Sequence, residues 1–211
     1  MRLTMEIFHE MATLGRVDSG AKLVFENMID RTIQKYLARY AEGESALCDA
    51  LKGAWSAVAV VPACREGEGL FETLRTLDLA AQSAGGRALI VLVINARLNA
   101  SELTLSVNHT TQTTLCVDAK RVADGLWLKA QTHSDVLLVD RTSEGRRFPI
   151  DQGVGLARKI GCDLALSLWA RQLLTTEWIR TTDADATVPL DYFQSTASPN
   201  TMTLITRFHH T

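Results

Sequence analysis

The chain has 211 residues, 46% hydrophobic and 22% charged, a composition that excludes a disordered, collagenous or coiled-coil protein and predicts one to one and a half domains with a full-sized core. With 22 basic against 24 acidic side chains the formal net charge is −2, too balanced to favour nucleic acid or an anionic membrane as partner. Cys48, Cys64, Cys116 and Cys162 form no Cys-x-x-Cys pair and suit neither zinc nor a disulfide framework. Reduced thiols in a cytoplasmic protein are the expectation. The longest apolar runs, 57–63 and 88–94, fall far short of the roughly 20 residues that span a bilayer, so no transmembrane segment is expected. The sequons at Asn99 and Asn108 are expected to be chance matches, since no secretory signal precedes them.

In chain order, a helix is expected from Ser19, with Phe25, Ile29, Ile33, Tyr36, Leu37 and Tyr40 in one apolar stripe. That stripe reads as an ordinary core-facing helix or as a contact surface for a second copy. A shorter helix follows Gly43 and runs through Cys48 and Leu51. The rhythm changes at Trp55. Buried strands are expected at Ala57–Val61 and Ala88–Ile94, with a helix over 66–84 between them that Gly85-Gly86 ends. Helices are expected between Ser101 and Leu115 and over Ala119–Ala130, then a strand at Asp135–Val139 and a long helix over Gly153–Arg171. Strands at Glu177–Thr181 and Thr201–Phe208 complete the series. Buried strands alternating with helices predict an α/β fold, a mostly parallel, Rossmann-like sheet with helices on both faces. Residues 1–53 are expected to form an N-terminal helical extension and residues 54–211 the sheet domain.

Such sheets bind ligands beyond the carboxyl ends of their strands. Those ends read Pro62-Ala63-Cys64-Arg65-Glu66, Asn95-Ala96-Arg97, Asp140-Arg141 and Asp183-Ala184-Asp185. The last is the strongest signal. Alternate side chains of an extended segment point the same way, so Asp183 and Asp185 can converge on Mg2+ or Mn2+, which prefer oxygen ligands. Alone, the triplet is equally what a solvated turn before a helix near Pro189 would show. Small residues at Gly153-Val154-Gly155 precede Arg158 and Lys159; these two, and Arg141, Arg146 and Arg147 in the loop before, could reach a phosphate. P-loop and dinucleotide glycine patterns are absent from the sequence. His209 and His210 lack a ligand partner nearby in sequence.

Taken together, Val-Val-Pro-Ala-Cys-Arg-Glu at 60–66, Val-Gly-Leu-Ala-Arg-Lys-Ile-Gly at 154–161 and Thr-Asp-Ala-Asp-Ala at 182–186 resemble three motifs of family 2 glycosyltransferases with the GT-A fold, in that family's order and over about residues 55–208. The resemblance implies transfer of a sugar from a nucleotide-diphosphate donor to an acceptor hydroxyl, with Mg2+ or Mn2+ as cofactor. Pro62, Ala63, Arg65 and Glu66 would line the nucleoside. Asn95 would stand where an Asp usually contacts the base, and Arg158 would lie near the nucleotide. Asp183 would contact ribose or metal, and Asp185 would be the principal metal ligand.

The departures are specific. Arg65 replaces an Asn and Asn95 an Asp. The family's catalytic base lies well downstream of the Asp-x-Asp, and here only 26 residues follow Asp185, with Asp191 their sole carboxylate. No catalytic base is assigned, and the acceptor-binding part of such an enzyme is expected to lie outside this chain. A non-catalytic nucleotide-sugar-binding or assembly module and a sugar nucleotidyltransferase remain the alternatives. The nucleotidyltransferase fits less well, because its first loop should be richer in glycine than Ala63-Cys64-Arg65-Glu66-Gly67.

Overall fold

A computed structural model describes residues 31–194 together with 209 and 210. The start of the expected first helix, with Phe25 and Ile29, and the expected strand Thr201–Phe208 lie outside the described residues. Residues 31–39 are helical (α1), and a 3-10 helix follows at Gly43–Ala50. The alternating part comprises β1 (Ala57–Ala63), α2 (Glu68–Ala84), β2 (Ala88–Asn95), α3 (Glu102–Cys116), β3 (Lys120–Ala123), β4 (Leu126–Ala130), β5 (Ser134–Arg141), α4 (Val154–Ala170), β6 (Ile179–Thr181) and β7 (Ala186–Thr187). A two-residue β8 (His209–His210) pairs with β7.

Six strands form one mixed sheet in the order β3-β4-β5-β2-β1-β6. β5, β2, β1 and β6 run parallel, while β3 and β4 are antiparallel additions at one edge. Every residue of β1 and β2 is buried. Unbroken Val, Ile, Leu and Ala runs produce this, because a parallel strand covered on both faces has no solvated side to mark with polar residues. Two apolar cores result. One packs Leu70, Leu74 and Leu77 of α2 on Ala59 and Val61 of β1 and Ile90 and Leu92 of β2. The other packs Ala157, Ile160, Leu164 and Leu168 of α4 on Val58, Val60, Leu89 and Val91, and takes in Cys48 and Leu51 from the 3-10 segment. Helices therefore cover both faces. α4 sits very close to β1: a Cβ on Gly161 would lie 2.3 Å from Val60 Cγ1.

The structure corrects three sequence expectations. The helix expected over Ala119–Ala130 is the β3–β4 hairpin. Asp118 takes a positive φ of 59° after α3, and Gly125 one of 77° in the two-residue Asp124-Gly125 turn. Asp-Gly between short apolar segments favours a tight hairpin, and this turn chemistry outweighs the weak helical spacing. The strand ending at Thr181 is only three residues long, at the sheet edge and partly exposed. The segment after Pro189 is a succession of turns, not a helix. Among the described residues, no helix is long and apolar enough to cross a membrane.

Candidate functional site

The chain moves outward from β1 through β2 to β5, then returns to place β6 on the other side of β1. The gap beyond Ala63 and Thr181 is therefore the point where the winding reverses, the crevice in which open α/β sheets place ligands. Pro62 and Ala63 are the buried last residues of β1 and form its floor rather than its rim. Arg65 follows with a left-handed backbone, φ 65°, and Gly67 with φ 58°. The Arg65 conformation is uncommon for a residue with a Cβ and needs support from its surroundings. It delays the start of α2 to Glu68, two residues later than the sequence suggests.

On the far side of the gap, burial alternates. Thr182, Ala184, Ala186 and Val188 are buried, while Asp183, Asp185 and Thr187 are half-exposed. The segment does not run extended as the sequence suggests: Asp183–Ala186 make a turn, with Ala186 N–H donating to the Asp183 carbonyl at 3.4 Å. It is anchored by Thr182 N–H, which donates to the Val60 carbonyl of β1 at 3.1 Å, by Thr73 Oγ1 of α2, which donates to the Ala184 carbonyl at 2.8 Å, and by Val188 N–H, which donates to Thr76 Oγ1 at 3.3 Å. The anchoring buries Ala184 and leaves Asp183 and Asp185 half-exposed, both close enough to Glu66 for their charges to act on its carboxyl. Arg158, from the second turn of α4, donates to Asp183 Oδ1 and forms an ion pair with it.

Glu66 completes an acidic group. Burial pushes its carboxyl above the ordinary value, and the negative charges of Asp185 and Asp183 push the same way; a bond from the Cys64 backbone and the charge of Arg65 oppose them. The sign for stability follows. The folded chain holds this proton more tightly than the unfolded chain, so stability falls as pH rises from the ordinary carboxylate range through the raised value. Glu66→Gln is expected to raise Tm at pH 7.5 and to leave it unchanged at pH 3.5, where both states are protonated. Melting curves at the two pH values check this, and an equal shift at both would show that the neighbouring carboxylates are not the cause.

The other sequence candidates divide. Asn95 is 5% exposed, and its Nδ2 donates to the Ala63 carbonyl at 2.9 Å and the Val93 carbonyl at 3.3 Å. Its amide nitrogen thus ties the ends of β1 and β2 together. Lys159 turns away from the gap onto Asp163 and Glu42, at 2.8 and 3.0 Å. Arg141 pairs with Glu44 at 3.1 Å and lies over the Phe148 ring. Arg146 pairs with Asp124, and Arg147 Nε donates to the Thr142 carbonyl at 3.1 Å. Of the basic residues singled out after β5, Arg158 alone is ion-paired to an Asp-x-Asp carboxylate.

Sequence reasoning missed the residue that connects these loops. Asn108 of α3 is 2% exposed. Its Oδ1 accepts the Arg65 N–H at 2.8 Å, and its Nδ2 donates to the Asn95 carbonyl at 2.9 Å and to Thr142 Oγ1 at 3.1 Å. Asp140 Oδ1 in turn accepts the N–H groups of Thr142 and Ser143, both at 2.9 Å. A readable signal existed: Asn108, Thr111 and Leu115 share one helical face, and a polar residue on a core-facing stripe must find partners.

A divalent ion fits this site only as a two-carboxylate platform. Asp183 is ion-paired with Arg158 through Oδ1, and Asp185 is half-exposed two residues on in the same turn. Among the described residues, no group of three or more His, Cys, Asp and Glu side chains is arranged to hold a metal. Mg2+ commonly takes one or two protein carboxylates and completes its shell with water and substrate phosphates. No protein-family model, curated protein or solved structure matches this chain, so the functional reading rests on the site.

Proposed function

We propose that the chain binds a nucleotide-diphosphate sugar in the β1/β6 gap, with Mg2+ or Mn2+ held by Asp185 and Asp183, and that the reaction is glycosyl transfer to an acceptor hydroxyl. The observation that carries this reading is the pair of half-exposed carboxylates, Asp183 and Asp185, in the turn that follows β6, where the winding of the sheet reverses. Supporting it, Glu66 and Arg65 stand on the opposite lip and Arg158 beside Asp183. A bound divalent ion would supply charge neutralisation for the departing diphosphate. Pro62 and Ala63 would floor the nucleoside pocket, with Arg65 and Glu66 on its wall. Asp183 and Asp185 would hold the ion, and Arg158, once displaced from Asp183, would take a diphosphate oxygen. In the transfer, the bond from the anomeric carbon to the diphosphate oxygen breaks with its electron pair going to the leaving group. A bond forms to the acceptor oxygen, whose proton is lost; no residue of this chain is assigned as its base.

One observation favours a second reading. The Arg158–Asp183 pair already neutralises one of the two carboxylates, which suits a metal-free nucleotide-sugar-binding module. Thermal melts with UDP-, GDP- and ADP-glucose, each with and without Mn2+, separate the two. Ligand at about 100 times its Kd stabilises by about 2.7 kcal/mol, which for a chain of this size is a rise of about 5–10 °C. The expected result is a rise that needs both nucleotide sugar and Mn2+ and disappears in Asp185→Ala. An equal rise without Mn2+ supports the binding module, and no rise with any of the three sinks both.

A further inference from the structure

We infer that Asn108 is the positioning residue of this site: through one carboxamide it holds Arg65 in its left-handed conformation and so fixes where Arg65 and Glu66 stand opposite Asp183 and Asp185. The inference deepens the nucleotide-sugar reading and rests on it for the ligand, but its geometry stands independently. Three connections that are far apart in sequence meet at this one side chain. The loop after β1 gives the Arg65 N–H, the end of β2 gives the Asn95 carbonyl, and the loop after β5 gives Thr142 Oγ1. No apolar residue could replace it, because two donors and an acceptor are used at once inside a site that is 2% exposed.

The bond to Arg65 bears directly on the candidate site. Arg65 sits at φ 65°, a conformation that a residue with a Cβ adopts only where its surroundings over-determine it. The acceptor on its N–H is Asn108 Oδ1. Residue 66 inherits its place from residue 65, and Glu66 already feels the charges of Asp185 and Asp183. Loss of the Asn108 acceptor releases the backbone to its ordinary, negative-φ region and swings the Arg65–Glu66 lip away from the carboxylates. The remaining bonds of Asn108, to Asn95 and Thr142, keep α3 tied to β2 and β5, so the same residue references the lip to the rigid sheet.

Two readouts test this on the full chain. The first needs no nucleotide: Cys64 is exposed and precedes Arg65, so its alkylation rate by iodoacetamide, followed by peptide mass spectrometry, reports the conformation of the lip. Asn108→Ala is expected to change that rate several-fold. Asp135, at the start of β5, accepts from Trp55 Nε1 at 2.7 Å and from Arg87 Nε at 2.8 Å; Asp135→Asn weakens these bonds at the opposite end of the sheet, serves as the control for global destabilisation and is expected to leave the rate unchanged. The second readout is the Kd for UDP-glucose with Mn2+, measured where circular dichroism shows each variant folded. A displaced site wall is expected to weaken binding about tenfold or more in Asn108→Ala, with no change in Asp135→Asn. A Cys64 rate identical in wild type and Asn108→Ala overturns the inference, as does an equal change in Asp135→Asn. If wild type binds no nucleotide sugar but the Cys64 rates behave as expected, the nucleotide reading fails and the positioning role stands. Should Asn108→Ala not fold, Arg65→Gly gives the same decision: glycine adopts this φ without support, so the alkylation change caused by Asn108→Ser must shrink in that background, and an unchanged effect overturns the inference.

Discussion

Asp163→Ala is expected to lower the free energy of unfolding by about 3 kcal/mol. Asp163 lies on α4 and is 2% exposed. Its Oδ1 accepts the Tyr36 hydroxyl at 2.8 Å, and its Oδ2 accepts both the Glu42 N–H and Lys159 Nζ at 2.8 Å. Through it the chain from α1 to the 3-10 segment is fastened to the second core. Removing the carboxylate strands a hydroxyl and a backbone donor, and hydrogen bonds to a charged partner contribute about 1.5–3 kcal/mol each. Lys159 loses less, since it is part-exposed and keeps Glu42 and the Tyr40 carbonyl. The fall corresponds to a Tm lower by about 6–12 °C. Asp163→Asn keeps the size and one acceptor and is expected to cost about half as much. Urea denaturation of the three proteins checks the order. A cost under about 1 kcal/mol for the alanine variant would mean that α1 is not fastened here.

Gly161→Leu is expected to cost about 3 kcal/mol or more, and Gly161→Ala about 1–2 kcal/mol. Two effects compete at this position. Glycine inside a helix is about 1 kcal/mol worse than alanine, so propensity alone makes Gly161→Ala stabilising. Packing opposes it: the new Cβ would stand 2.3 Å from Val60 Cγ1, and Val60 is fully buried in β1 between β2 and β6. Overpacking costs about 1–3 kcal/mol, and an overlap this close against a fully buried side chain belongs in the upper part of that range, so packing outweighs propensity and the net cost is about 1–2 kcal/mol. The double variant Gly161→Ala with Val60→Ala is expected to be less destabilised than the sum of the singles, because each change makes room for the other. Additivity in that cycle would count against the contact. The same close approach sets the site, since α4 carries Arg158 less than one turn before Gly161 and any lift of the helix takes the guanidinium away from Asp183.

Much of the sheet could be read directly from the sequence because its signal is local. Ala57–Ala63 and Ala88–Ile94 are unbroken apolar runs of strand length, as a strand covered on both faces requires. The boundaries of α3 and α4 also lie close to their expected positions: Ser101 caps the first by accepting the Thr104 N–H at 3.2 Å, and glycine precedes the second. The β3–β4 hairpin was misread because its two short strands carry mixed apolar residues that also fit a helical period. The decisive signal was Asp124-Gly125, a turn rather than a pattern. Within the site, the strand-end rule located Arg65, Glu66, Asp183 and Asp185. It could not foresee that Arg141, Arg146 and Lys159 are engaged by Glu44, Asp124 and Asp163, since ion pairs between distant segments leave no spacing to read. Asn108 and Asp163 were missed for a related reason. Each is a polar residue in a helix whose partners come from other segments up to 127 residues away, and only the folded chain shows that those partners converge.

The ion pair between Arg158 and Asp183 has a consequence for selectivity. Asp183 is not a bare anion in this chain: it already carries a monovalent counter-ion that is covalently part of the protein and cannot diffuse away. Any other cation enters by exchange, so its affinity is a ratio against a tethered guanidinium rather than an absolute attraction. Dilute monovalent salt competes poorly with a tethered partner. The divalent ion proposed above would bring twice the charge, and its exchange would release a guanidinium beside the place it takes, so that admission of the cation and exposure of an anion-binding group would be one event.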